Sequence, residues 1–179
     1  MDFVDTMVFG ALSSLVASAV YLALIFLLRP RIRISPELVV GRGADGRERM
    51  AFKVRNLSRW ALLDIQAKAS YSPTFDPERQ RVGAGQPLNL EYSSLFDLGR
   101  REGRLGRGSS TFVFTFTGFP DDLAETDGWV IRVGVTARHV LSQFGGVAKH
   151  NFAGPDTLVA GRFQSGVSFR TIEDLDARL

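Results

Sequence analysis

Arg29, Arg31 and Arg33 alternate along the chain, three cations within five residues, directly after an apolar run in the 179-residue sequence. Basic side chains beside a charged leaflet attract anionic lipid headgroups, at about 1 kcal/mol each. The same arginines, standing next to an apolar run, also serve simply to set topology. A second basic group, Arg100, Arg101, Arg104 and Arg107, is interleaved with Gly103, Gly106 and Gly108 and reads as a solvated loop. Bond-making chemistry has little to work with. There is no cysteine, which excludes thiolate nucleophiles, Cys-ligated zinc and disulfides. The two histidines, His139 and His150, lie eleven positions apart with no third ligand at metal spacing. The acid pairs Asp121-Asp122 and Glu173-Asp174 fit turns or a tail better than acid–base catalysis. Residues 41–46 are glycine-rich but lack the Lys-Ser/Thr ending of a phosphate loop, and a hairpin accounts for them. No Ser-His-Asp order surrounds a nucleophile elbow. The expectation is a protein that is not an enzyme and uses no cofactor or metal.

The elements that must carry these residues fall into two kinds. Residues 7–28 form a run without a charged side chain. As a helix the run reaches roughly 33 Å, enough to cross a bilayer core. Asp2 and Asp5 precede it where a signal peptide would be positive, and no small-x-small cleavage site stands before Arg29, so an uncleaved anchor is expected. Every Lys and Arg lies at or after Arg29. The positive-inside rule then places the N-terminus outside and the larger domain in the cytoplasm of a single-pass cell-membrane protein. Gly10, Ser14 and Ser18 recur every fourth residue, a small-residue stripe of the kind that lets helices approach closely in lipid. Beyond the anchor, 17 acids face 22 bases, a surplus too weak to imply nucleic acid.

After residue 35 the hydrophobic period becomes two. Met50, Phe52 and Val54; Ile65, Ala67, Ala69 and Tyr71; Phe112, Phe114 and Phe116; and Trp129, Ile131, Val133 and Val135 each alternate with a second set. Turn signals at 45–46, 72–73, 85–87, 118–122 and 145–146 separate these runs. The pattern predicts an all-β domain of two packed antiparallel sheets. A short helix is expected over 120–125, with long loops over 73–87 and 98–108. The expected partition is a short segment 1–6, a transmembrane helix 7–28, a basic juxtamembrane linker 29–35, a β-sandwich 36–170 and a polar tail 171–179. Asn56-Leu57-Ser58 matches a glycosylation acceptor, but a cytoplasmic strand end would not be modified.

Several stretches together resemble one family. Residues 29–33 read Arg-Pro-Arg-Ile-Arg; Ser35, Val39-Val40, Arg42, Gly46, Met50, Phe52-Lys53-Val54 and Asn56-Leu57 follow in order. Pro87-Leu88-Asn89, Trp129 to Val133, His150-Asn151-Phe152, Asp156 and Gly161-Arg162-Phe163 come later. Over about residues 7–170 this order resembles the inner helix and cytoplasmic domain of inward-rectifier potassium channels. The resemblance implies an immunoglobulin-like β-sandwich, an anchor matching the inner helix, and assembly as a homo-oligomeric ring of four. It also implies phosphoinositide binding at Arg29, Arg31 and Arg33. The departure is as informative. Only six residues precede the span, and Tyr21, Tyr71 and Tyr92 stand in no filter-like context, so no selectivity filter is expected. The expected function is a membrane-anchored interaction or regulatory module with a protein partner that the sequence does not name. The alternatives are a channel subunit or non-selective pore former assembled through the helix and, with topology reversed, an exported ligand-binding sandwich.

Overall fold

The computed structural model describes residues 3–43, 45–73, 75–76, 81–82, 85–100, 110–120, 123 and 128–172. One helix, α1 (Phe3–Leu27), comes first. It starts before the charge-free run and stops as Pro30 approaches, because a proline ring disfavours helical geometry in the residue before it. Residues Met7–Leu27 have mean hydropathy 2.1 and are not buried against the rest of the chain, so the helix is long and apolar enough to cross a membrane.

Strands follow: β1 (Ile32–Ile34), β2 (Leu38–Arg42), β3 (Glu48–Asn56) and β4 (Leu62–Ser72). Four short pieces come next: β5 (Phe75–Asp76), β6 (Arg81–Val82), β7 (Gln86–Pro87) and β8 (Asn89–Leu90). Then come β9 (Ser94–Leu98), β10 (Thr111–Thr117), β11 (Val130–His139) and β12 (Gly145–Ala153). The chain closes through β13 (Leu158–Ala160), β14 (Arg162–Phe163) and β15 (Thr171–Ile172).

Two sheets carry the domain. The first has the order β13-β2-β3-β10-β8, with β1 also on β3; the second has the order β12-β11-β4-β7, with β9 also on β4. Pairing is antiparallel except for β13 beside β2. The alternation expected from sequence decides which faces meet. Phe52, Phe114 and Phe116 of the first sheet share one core with Ile65, Ile131, Val133, Val135 and Phe152 of the second. Phe52 and Phe114 stack with ring centroids 5.3 Å apart. Trp129 is fully buried, and its indole N–H donates to the Leu123 carbonyl at 2.8 Å, which satisfies the one polar atom it brings inside. The glycine-rich stretch is the β2–β3 hairpin: Gly43 N–H donates to the Arg47 carbonyl at 2.9 Å, and Gly46 takes a φ of 75° that favours a residue without Cβ.

Two expectations change. Within the 29–35 segment, expected as a linker, Ile32–Ile34 is instead a strand paired to β3, since Ile34 has a core to enter. Lys53, between the inward-facing Phe52 and Val54, is buried as well, because residues 163–170 cross over it and its ammonium donates to the carbonyls of Gln164 at 2.7 Å and Ser168 at 2.9 Å. Thr171 and Ile172, expected in the tail, pair with Phe163 and Arg162. The 73–87 stretch contains the short pairs β5–β6 and β7–β4. The loop residues Arg101, Arg104 and Arg107, most of the helix expected over 120–125, and the acids Asp121, Asp122, Glu173 and Asp174 lie outside the described residues.

Candidate functional site: a basic groove where the helix meets the sheets

The chain leaves α1 and is clasped at once. Pro30 is buried, and a Cβ on Gly146 would come within 2.8 Å of the Pro30 side chain, so glycine at the start of β12 is what lets the junction close. Arg31 is held through its backbone: its N–H donates to Ser58 Oγ at 2.8 Å and its carbonyl accepts from Leu57 N–H at 2.7 Å. Ser58 is itself placed by Asn56, whose Oδ1 accepts from Ser58 N–H at 2.7 Å. The Asn56 side-chain amide donates in turn to the carbonyls of Trp60 at 2.8 Å and Gly99 at 2.9 Å. Asn56 is fully buried with both ends of its amide engaged, so the turn after β3 has little freedom.

With the backbone fixed, the arginine side chains are left exposed. Arg29, Arg31 and Arg33 line one groove of about 660 Å³ between the junction and the edge strand β12. Lys149 and His150 of β12 complete it, and Phe26 from the last helical turn borders it. Among the described residues that line it there is no carboxylate. The Arg33 guanidinium lies 5.7 Å from the centre of the Phe169 ring, a cation–π contact that orients it. The groove thus combines positive charge, an apolar shoulder and a position at the end of an apolar helix.

Lys149 also borders a second groove of about 860 Å³ on the outer face of the β4–β11–β12 sheet. There Lys68, Gly134 and Lys149 stand in one register row, and Ser70, Arg132 and Asn151 in the next. Among its described lining residues there is likewise no acid. The basic surface therefore continues from the junction across the sheet, with Lys149 shared.

The structure brings together Arg29, Arg31 and Arg33, as their spacing suggested, and adds Lys149 and His150, which sequence reasoning missed. It leaves Gly10, Ser14 and Ser18 apart, exposed within α1, where Ser13 Oγ donates back to the Gly10 carbonyl at 2.9 Å. His139 is buried at the foot of the β11–β12 turn. Its Nδ1 accepts from the N–H groups of Leu141 at 3.3 Å and Ser142 at 3.4 Å, and burial pushes its pKa below the usual histidine value. In the sequence Asn56 stood out only through the glycosylation pattern and the family resemblance, and Ser58 only through the former; neither pointed to this role. Among the described residues, no group of three or more His, Asp or Glu is placed to hold a metal ion.

These features define a class: a β domain of two sheets, joined without slack to an apolar helix, with a cationic groove at the joint. Compared with known proteins, the chain matches no family model and no curated protein sequence.

Proposed function

We propose that this protein is a single-pass membrane protein whose β domain, an immunoglobulin-like sandwich on the cytoplasmic side, is an interaction or regulatory module that recognises anionic lipid headgroups at the inner membrane face. The observation that carries this reading is the groove of Arg29, Arg31, Arg33, Lys149 and His150 at the end of a helix of membrane-spanning length. Arginine matches phosphate oxygens with paired donors, and cations near a leaflet gain from its negative potential. Likeness to the cytoplasmic part of inward-rectifier potassium channels supports the same arrangement. The test is lipid retention. Protein extracted in mild detergent and offered phosphatidylglycerol or phosphatidylcholine should keep the anionic lipid preferentially in native mass spectrometry. The triple change Arg29→Gln, Arg31→Gln, Arg33→Gln should abolish the preference. Equal retention by the triple variant would overturn the reading.

A second reading is a channel subunit or non-selective pore former. It is favoured by one feature: α1 makes no packed contact with the sheets and presents the Gly10, Ser14 and Ser18 stripe for helix–helix contact. Silence of the purified protein in planar bilayers at high density would dismiss it.

A further inference from the structure

Three segments converge where α1 ends. Ser142 Oγ, in the β11–β12 turn, lies 3.5 Å from the Leu28 carbonyl. The turn after β3 is tied to Arg31 through Leu57 and Ser58, and Val140 N–H donates to the Ala61 carbonyl at 3.3 Å. The two turns are thus tied to each other and to the end of the helix.

Both turns expose large apolar side chains. Trp60 is 45% exposed, Leu141 58% and Phe144 37%. The exposed cations Arg29 and Arg31 belong to the junction that these turns are tied to, and the exposed Arg59 precedes Trp60. Water is a poor home for this combination, in contrast to Trp129, the other tryptophan, which is wholly inside. Tryptophan with arginine is the composition that favours the boundary between acyl chains and headgroups.

We infer that the turns bearing Trp60, Leu141 and Phe144 dock into the bilayer interface, so that the domain rests on the membrane rather than hanging below it. This inference rests on the proposed membrane anchoring. Its occupant is the lipid boundary itself, because continuity with the last turn of α1 sets these side chains at the height where the hydrocarbon ends. The apolar tips enter the upper acyl region while the arginines meet the phosphates.

Trp60 is its own reporter. The full chain is placed in vesicles of phosphatidylcholine and phosphatidylglycerol, with the phosphatidylcholine brominated either near the headgroup end or near the terminus of its acyl chain. A Trp60→Phe variant supplies the Trp129 baseline. The expected result is a loss of Trp60 emission that is greater with the shallow bromine than with the deep one. It should diminish in the Leu141→Ser, Phe144→Ser double variant. If Trp60 emission is untouched by either lipid while the protein still floats with vesicles after alkaline extraction, the docking is overturned and the anchor stands. That outcome includes burial of the tips by a second copy. If alkaline extraction releases the protein, the anchoring reading fails and the docking fails with it.

Discussion

Asn56 shows how one amide can organise a site it does not enter. It is buried, and it connects the end of β3, the Trp60 turn and Gly99 after β9, with Ser58 passing its order on to Arg31. Replacing Asn56 with Ala leaves the part-buried carbonyls of Trp60 and Gly99 without that donor, at a cost of about 1–3 kcal/mol. Chemical denaturation should show that loss, and anionic-lipid retention should fall with it although no groove cation is altered. His139 makes a different prediction. Its buried ring favours the neutral form, so its folded pKa lies below that of a histidine in the unfolded chain. At higher pH neither state carries the proton and the residue is silent. As pH falls through the unfolded value, the unfolded chain takes a proton that the fold resists, so stability declines until the lowered folded pKa is reached. Urea midpoints should therefore drop on acidification, and His139→Asn, which keeps an acceptor for the Leu141 and Ser142 N–H groups, should lessen that drop.

At the scale of elements, the junction is the informative part. Gly146 faces Pro30 so closely that Gly146→Val must push the exit of α1 away from β12, with an overpacking cost of about 1–3 kcal/mol. Thermal unfolding should register the cost, and Trp60 emission should shift as the two turns part. The central strands were legible because their alternation is strong: Phe52, Phe114, Val133 and their partners place apolar groups on a single face, and the core requires one face from each sheet. β1 was not legible as a strand. Its three residues carry arginine at the centre, and its pairing depends on β3 rather than on any local period. The burial of Lys53 was not legible for a related reason. Its neighbours Phe52 and Val54 obey the alternation, but the cover over its own face comes from residues 163–170, whose return across the sheet leaves no mark near position 53. The groove was half visible. Three arginines at alternating positions announce themselves; Lys149 and His150 join them only because β12 is the edge strand of the second sheet.

For the molecule as a whole, the open question is how many copies stand together. The proposed likeness to a channel's cytoplasmic part leads to a ring of four, and native mass spectrometry of the intact protein in mild detergent should give a tetrameric mass. A monomer would confine that likeness to the single chain. Changing Gly10, Ser14 and Ser18 together to Leu should dissolve the assembly if α1 holds it together and leave it intact if the sheets do.

The absence of slack between α1 and β1 has a mechanical meaning. A domain on a glycine–serine tether forgets the orientation of its anchor within a few residues. Here Pro30 is wedged against Gly146, Arg31 is bonded on both sides, and β1 begins at Ile32. In the proposed membrane-spanning arrangement a helix spliced in this way is a lever: a tilt or rotation imposed on it would be delivered to the sheets as torque, and the basic groove, sitting at the fulcrum, would turn with it.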